Sequence, residues 1–481
     1  MKITGFLRKS LYSIRANLLE LIVNIITVLL IPKFLGDAFE QYGYFQVYLF
    51  YIAYVGFFHL GWCDGILLRY GGFEYNKLDK RVCSFQFRLI SLIQILFTVL
   101  VIVISIVLYA SDLRFVYIMV ALNIVVYTPR RLLQYYLQST NRIKEYSRIT
   151  EIGRGTFGLL LIVIFIAGIR DYRYIIYADL FGKTLALVYS IFLCRDIVFA
   201  KTAPLRDGLS EAYRNVSVGI KLLFANVASM LITGIVRWGI QMKWDIATYG
   251  KISFSLSVSN FILSFISAIA VVLYPTLKRI DKDKLPLFYN DIRNSLMLLL
   301  FTCLLAYYPI KVILVGWLPQ YEISIRYMAI LFPVCVYASK MSLLVQTYLN
   351  IFRQETKLMQ INIAGVIIAA ITTYISIFLF ESLVLAMLSI VFNQMFRCIY
   401  AETIVSKKIN VDVVKDVVTE TAIVLLFIFF NSFIGGYIGL SLYIICYAFY
   451  LFNKKEVIKE LFNRGLSIVS RNTERSNIKN V

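Results

Sequence analysis

Residues 89–110 read LISLIQILFTVLVIVISIVLYA, a run of 22 residues without a charged side chain. Each residue of an α-helix adds about 1.5 Å of length, so about 20 apolar residues cross the hydrocarbon core of a bilayer. A helix also satisfies its own backbone hydrogen bonds, which lipid cannot do. This stretch therefore predicts a membrane-spanning helix.

The rest of the chain has the same character. Of its 481 residues, 60% are hydrophobic and 16% are charged, and the mean hydropathy is +0.75. A soluble domain carries about 25% charged residues, so this composition argues against a soluble protein. We predict an all-α membrane protein whose roughly fourteen spans lie at 17–35, 45–62, 89–110, 115–137, 156–170, 174–194, 217–241, 250–274, 295–316, 325–350, 360–380, 383–404, 417–434 and 436–452. The first span is interpreted as a retained helix, because no small-residue cleavage site follows it.

The basic residues alternate between the two sides of the predicted membrane. The net charge is +21, from 49 Lys and Arg against 28 Asp and Glu. With a cytoplasmic N-terminus, 38 of the 49 lie on cytoplasmic segments and helix ends, eight on the external side and three inside spans. Cytoplasmic loops accumulate Lys and Arg, so this split predicts a bacterial inner-membrane protein with both termini cytoplasmic. It explains the charge without nucleic acid, and it makes anionic membrane lipids expected partners.

Two further features limit the chemistry. The seven cysteines have no metal-ligand spacing, and His59 is the single histidine, so we expect buried thiols and no metal site. The external loops are short, the longest being around 36–44. That argues against a membrane enzyme with a large external catalytic loop. We therefore predict no enzymatic activity and no bound cofactor. Coupling of the protein's function to protons or sodium ions stays open.

Two pairs of segments indicate an internal repeat. QYGYF at 41–45 resembles TYGKI at 248–252, with an offset of 207 between the tyrosines, and QYYLQ at 134–138 resembles QTYLN at 346–350, with an offset of 212. The repeat predicts an N-lobe at 1–200 with six spans, a C-lobe at 201–408 with six, two further spans at 409–453 and a basic cytoplasmic tail at 454–481. Six spans return the chain to the same side, so the halves run in parallel, a geometry suited to alternating access through a cavity between them.

Short motifs also resemble a known group of proteins. They are PKFLG at 32–36 followed by Tyr42 and Gly43, LGWCDGILLRY at 60–70, NRIKEY at 141–146 and LYP at 273–275. With these motifs the chain resembles the Wzx-type flippases of O-antigen and capsule units, in the MATE/MOP exporter superfamily. Relatives often carry an acidic residue before the arginine of the seventh helix, where this chain has Val236. That departure weakens any transfer of proton-coupling chemistry to this position.

The resemblance implies a function in polysaccharide and lipopolysaccharide biosynthesis. It implies two six-helix lobes within fourteen helices, and a cargo of undecaprenyl-pyrophosphate-linked oligosaccharide moved to the outer leaflet. It also implies a polysaccharide polymerase and a chain-length regulator as partners.

Charges inside the spans are the candidate functional residues, because a charge at the bilayer centre costs about 2.5–3.5 kcal/mol on insertion scales. Arg237 either reaches the external interface beside Trp238 or grips phosphate from a cavity wall. Lys340, near the middle of its span, either faces the cavity or forms a structural ion pair. Asp179 and Lys183, at i and i+4, either neutralise each other or form a proton- or sodium-sensitive pair that frees Lys183 for cargo.

The inner ends of two spans carry further candidates. Arg130 and Arg131 follow Pro129 and are either ordinary basic flanks or a site that captures pyrophosphate at the inner mouth. Asp64, with Arg69, is either structural or a coupling residue. These residues complete a predicted cationic substrate site of Arg237, Lys340, Lys183, Arg130 and Arg131, with Asp179 and Asp64 as coupling residues.

Three other functions remain open at this point. A small-solute or drug antiporter of the same superfamily would need acidic or aromatic residues for cationic cargo, whereas the deep charges here are mostly basic. A membrane polymerase or glycosyltransferase would need a sizeable catalytic loop. A non-transporting scaffold of a polysaccharide assembly complex would need neither.

Overall fold

The computed structural model describes residues 3–36, 39–277, 285–456 and 458–459, with side chains omitted at 3–11, 13, 262 and 264–277. Within these residues every regular element is a helix. Of the predicted tail at 454–481, residues 457 and 460–481 lie outside the described part.

The first half of the chain forms six helical segments. They are α1 at 3–35, α2 at Phe39–His59 and Trp62–Arg69, α3 at Lys80–Leu108, α4 at Ser111–Ser139, α5 at Ile143–Ile166 and α6 at Tyr172–Leu193. A π-helical turn at Ile26–Leu30 interrupts α1, and a short helix at Arg195–Val198 follows α6.

The second half forms eight more segments. They are α7 at Leu205–Lys243, α8 at Ile246–Leu277, α9 at Leu285–Trp317, α10 at Pro319–Leu331 and Val334–Ile351, α11 at Glu355–Leu379, α12 at Leu383–Ile409, α13 at Val414–Ile434 and α14 at Gly436–Asn453. Short π-helical stretches lie within α10, α11 and α13.

Length and apolar composition make these helices a membrane bundle. Eleven described helices could each cross a bilayer, and the count is thirteen if each of the two bent helices, α2 and α10, is one span. The span predicted at 250–274 lies in α8, most of whose side chains beyond Phe261 fall outside the described part. The prediction of an all-α membrane protein is confirmed.

The bend in α2 has a local cause. The helix turns by 59° at Leu60 and Gly61, which both have positive φ angles, 52° and 80°. A Cβ on Gly61 would lie 2.5 Å from the amide nitrogen of Ile220 in α7. Glycine therefore serves here both for its left-handed backbone and for the close approach of α7.

The described chain contains two compact units. The first unit comprises Met1–Leu231 and Gln241–Phe254, and the second comprises Ile232–Ile240 and Ser255–Val481. The lobe limits at 200 and 408 follow the sequence repeat and stay predictions.

A contact within the first unit relates the two repeats. A Cβ on Gly250 would lie 3.0 Å from Gly43 Cα and 3.1 Å from the Phe39 carbonyl oxygen, and a Cβ on Gly43 would collide with the carbonyl of Ile246. Phe39 and Ile246 are separated by the same 207 positions as Gly43 and Gly250. The contact is thus reciprocal, as expected where two copies of one motif meet.

Candidate functional site: charged groups within the spans

Asp179 and Lys183 form an ion pair on α6. Lys183 Nζ lies 2.5 Å from Asp179 Oδ2, and the hydroxyl of Tyr48 on α2 donates to the same oxygen at 2.5 Å. Asn123 on α4 in turn donates to Tyr48 at 3.0 Å. Asp179 is buried and Lys183 is mostly buried. Each charge therefore has a neutralising partner, as the i, i+4 spacing allows.

Arg130 approaches this pair from α4. A Cβ on Gly153 of α5 would lie 3.5 Å from Arg130 Nη1, and a Cβ on Gly182 would lie 2.6 Å from the Gly153 carbonyl oxygen. The guanidinium thus lies at the crossing of α5 and α6, beside the residue that precedes Lys183. Its contact with the ring of Tyr127, 5.4 Å from the centroid, is a weak cation–π interaction.

The charge of Arg130 has no carboxylate to pair with in the described part of the chain. Its Nε is enclosed and makes no hydrogen bond there. A buried donor without an acceptor is costly, and a charged one more so. Arg130 is therefore the group in this region with capacity left for an anion.

Arg154 on α5 adds a cation that the sequence reasoning missed. It donates to Glu20 on α1 at 3.1 Å and lies within electrostatic range of Asp179, Lys183 and Arg130. The predicted span begins at 156 and leaves Arg154 on a cytoplasmic flank, whereas α5 begins at Ile143. We call Arg130, Arg154, Lys183, Asp179 and Glu20 the first-unit cluster; three cations and two carboxylates give it a net charge of +1.

Arg131 and Asp64 make their contacts outside this cluster. Arg131 Nη2 donates to the Tyr135 hydroxyl at 2.8 Å, and its guanidinium lies 4.4 Å from that ring centroid. Asp64 lies 3.9 Å from His59 Nε2, while His59 Nδ1 accepts a hydrogen bond from Gly61 N at 3.0 Å. This bond places the proton of neutral His59 on Nε2, facing Asp64.

Lys340 lies in the second unit and is fully engaged. Its Nζ lies 2.5 Å from Glu402 Oε2 on α12 and 2.7 Å from Glu420 Oε2 on α13. Lys340 is only 3% exposed. Of the two alternatives for this residue, the structure favours the ion pair, because both carboxylates are within hydrogen-bond distance of the amine.

Arg293 extends this group of charges. It contacts Glu402 at 2.7 Å, Asp416 at 2.8 Å and Glu420 at 2.9 Å, and Asp416 also binds Lys454 at 2.8 Å. We call this set, with Lys340, the second-unit network. Three cations and three carboxylates balance, and the network ties α9, α10, α12 and α13 together.

Arg237 lies on the part of α7 that belongs to the second unit. It is half-buried, whereas its neighbour Trp238 is 47% exposed. A Cβ on Gly239 would lie 2.8 Å from Ile377 Cδ1 and 2.9 Å from Thr373 Cγ2 of α11. The close helix packing expected at Gly239 is therefore present.

The NRIKEY motif organises a loop outside the spans. Arg142 pairs with Glu145 at 3.0 Å and lies 4.4 Å from the Tyr75 ring centroid, and Lys80 lies 3.3 Å from the same ring.

Burial would raise the pKa of Asp196, but hydrogen bonds from Tyr75, at 2.8 Å, and from Lys80 outweigh it and hold the pKa below its usual value. These contacts hold Arg142 of the motif beside the ring of Tyr75 and Asp196 beside its hydroxyl, in one loop region.

Comparison with known proteins identifies the fold. No protein-family model and no curated sequence matches the chain. The structure is similar to the lipid II flippase MurJ in an inward-closed conformation, with a TM-score of 0.65 and 12% identity over 94% of this chain and 100% of that one. It is also similar to the inward-facing conformation of a multidrug resistance MATE family transporter of the MOP superfamily, with a TM-score of 0.62 and 14% identity over 82% of this chain and 94% of that one. The chain is a multi-pass membrane protein with the fold of MOP-superfamily transporters.

Proposed function

We propose that the protein is a flippase that moves undecaprenyl-pyrophosphate-linked oligosaccharide repeat units across the bacterial inner membrane by alternating access. Its fold is that of transporters, and one similar structure is a lipid II flippase. The sequence motifs that resemble Wzx-type flippases support the choice of a polysaccharide precursor. In this role the protein works beside a polysaccharide polymerase and a chain-length regulator.

The observation that carries the proposal is Arg130. A partly buried guanidinium without a carboxylate, in a cluster of net positive charge, suits a phosphate-bearing ligand. The planar fork of arginine matches phosphate oxygens in pairs, and both groups are charged, which strengthens the hydrogen bonds. Lys183 adds a second cation from the adjoining helix, and its charge is masked by Asp179 until a ligand competes for it.

Four other candidates take secondary roles in the proposal. Arg237 and Arg131 are additional cationic contacts for the cargo. Asp179 is the coupling group, because a proton or sodium ion on its carboxylate would release Lys183. Asp64 is the second coupling candidate. Lys340 is assigned to the second-unit network instead of the cargo.

A second candidate function is export of small solutes or drugs, favoured by the likeness to the multidrug resistance MATE family transporter. The charges separate the two. A cationic drug would be repelled by Arg130 and Arg154, whereas a pyrophosphate would be attracted. The flippase is therefore the better-supported candidate.

Accumulation of precursors in cells tests the proposal. A deletion strain should retain single lipid-linked repeat units on the cytoplasmic leaflet, where an external glycosidase or periodate treatment does not reach them. Loss of a polymerase would instead leave single units accessible outside. External accessibility in the deletion strain, or efflux of a cationic dye such as ethidium that depends on this protein, would contradict the flippase proposal.

A further inference from the structure

Arg397 is a buried charge in the middle of α12. It is 7% exposed and lies 14 residues from Leu383 and 12 from Ile409, the two ends of the helix. At about 1.5 Å per residue, the nearer end is about 18 Å away along the axis. The charge count along the sequence places Arg397 with the cytoplasmic helix ends, although the predicted span at 383–404 contains it. At this depth its guanidinium depends on partners inside the protein.

The protein supplies Arg397 with an amide and no carboxylate. Its Nε donates to Asn362 Oδ1 of α11 at 2.9 Å, and none of the described carboxylates forms an ion pair with it. Arg293, in the same unit, contacts three carboxylates. Among the described residues, Arg293 therefore has carboxylate counter-ions, whereas Arg397 has none.

Neighbouring amides on the same helix face are also incompletely bonded. Gln394, at i−3, donates to Thr233 at 2.9 Å while its Oε1 is enclosed without a partner. Asn393, at i−4, accepts from Thr372 at 3.1 Å while its Nδ2 has no partner. Buried polar groups are normally satisfied, so spare donors and acceptors beside a free charge indicate a place for a polar ligand.

The repeat gives this arrangement a counterpart. Asp179 and Lys183 on α6 correspond to Asn393 and Arg397 on α12 at a constant offset of 214, close to the offsets of the two repeat motifs. Where α6 carries a carboxylate four residues before its cation, α12 carries an amide. The second repeat has thus kept the cation and lacks the internal counter-ion.

We propose that Arg397 is an anion-binding residue of the second unit, and that its ligand is the pyrophosphate of a polyprenyl pyrophosphate. This inference rests on the proposed function, and it adds a binding residue that lies outside the first-unit cluster. The guanidinium fork pairs with phosphate oxygens while Nε stays on Asn362, and Asn393 Nδ2 donates to the same anion. The ligand supplies the negative charge that α12 lacks.

Binding of short analogues to the full-length protein in detergent tests this inference. The probes are farnesyl pyrophosphate, inorganic pyrophosphate and the uncharged farnesol, measured by isothermal titration calorimetry. Arg397→Gln should weaken farnesyl pyrophosphate about 10- to 100-fold, as expected for losing charge-assisted hydrogen bonds, and leave farnesol binding unchanged. Inorganic pyrophosphate bound as tightly as the farnesyl form would assign the site to free anions and contradict the polyprenyl ligand.

Asn393→Asp is the sharper variant, because it restores on α12 the carboxylate that α6 has. It should also weaken farnesyl pyrophosphate about tenfold or more by giving Arg397 an internal partner. Arg397→Lys, which keeps the charge and loses the fork, should bind with intermediate affinity. If Arg397→Gln does not fold, Arg397→Lys replaces it and is compared together with Asn393→Asp.

The outcomes separate the two proposals. The role of Arg397 would be overturned if Arg397→Gln and Asn393→Asp both bound farnesyl pyrophosphate with wild-type affinity. If Arg397→Gln does not fold, wild-type affinity in both Arg397→Lys and Asn393→Asp would have the same meaning. If Arg130→Gln loses binding in the same experiment, the proposed function survives that result. A wild-type protein that binds none of the phosphorylated probes would overturn both.

Discussion

Lys340 shares its positive charge between two buried carboxylates, and this decides what its loss would do. Glu402 and Glu420 lie 62 and 80 positions away in sequence, so no local spacing could have paired them with Lys340. The pair of Asp179 and Lys183 was predictable, because four residues bring two side chains onto one helix face. Short-range ion pairs can be inferred from sequence, whereas long-range ones depend on which helices pack together.

We predict that Lys340→Ala destabilises the protein by about 3–5 kcal/mol, because it leaves Glu402 and Glu420 with too little positive charge in a buried site. Thermal unfolding of the purified variant, compared with wild type, measures this. Lys357→Ala, which removes an exposed lysine, is the control and should melt like wild type. A Lys340→Ala protein that melts normally but fails to transport would return Lys340 to the cargo site.

Arg293 and Arg397 show how counting charges along a sequence can place a buried arginine at the wrong depth in the membrane. The span predicted from 295 leaves Arg293 outside it, and the span predicted at 383–404 contains Arg397, yet the charge count places both arginines at cytoplasmic helix ends. In the structure α9 begins at Leu285 and α12 ends at Ile409, so both arginines lie well inside helices. A hydropathy window stops at charged residues, so a buried arginine near a helix end, such as Arg293, shortens the predicted span.

At the scale of single elements, the crossing of α5 and α6 positions the first-unit cluster. Gly153 and Gly182 allow the two backbones to approach closely. Arg130 lies next to Gly153, and Lys183 is the residue after Gly182 in the sequence. The sequence predicted both helices, but their contact point depends on which of several glycines faces the partner helix. The bend of α2 could not be predicted for a similar reason, because a glycine such as Gly61 does not reveal from sequence alone whether or in which direction a helix bends.

We predict that Gly182→Val destabilises the protein by about 1–3 kcal/mol through overpacking and lowers transport, because a side chain would press on the carbonyl of Gly153 and separate α6 from α5. Gly155→Ala on α5 is the matched control. Its Cβ would lie 3.7 Å from Leu19 Cδ2, an ordinary contact. Thermal unfolding and transport of both variants test the prediction, and equal effects would remove the role of the crossing.

At the scale of the whole molecule, composition and repeated apolar runs predicted the membrane fold, because apolar runs of about 20 residues suit helices, which satisfy their own backbone hydrogen bonds in lipid. The internal repeat was predicted from two short matches and is supported by the reciprocal contact of Gly43 with Gly250. The proposed cargo could not be predicted in the same way, because the proposal depends on a few charges whose partners come from distant helices.

We predict that both termini are cytoplasmic. Alkaline phosphatase, which is active only outside the cytoplasm, should be active when fused after Gly168, between α5 and α6, and inactive when fused after Arg353, between α10 and α11. Green fluorescent protein at the C-terminus should fluoresce, as it does in the cytoplasm. The reverse pattern would invert the orientation derived from the basic residues.

The most direct test of the account is translocation by purified protein in proteoliposomes that contain a fluorescent undecaprenyl-pyrophosphate-linked oligosaccharide. Quenching by external dithionite reports the fraction of lipid that reaches the outer leaflet. We predict that wild type and Arg170→Gln, a matched change on an exposed loop, translocate the lipid, and that Arg130→Gln does so at least about tenfold more slowly through the loss of one charged fork. Equal rates for Arg130→Gln and wild type, at equal protein incorporation, would contradict the central claim that Arg130 carries the cargo's pyrophosphate.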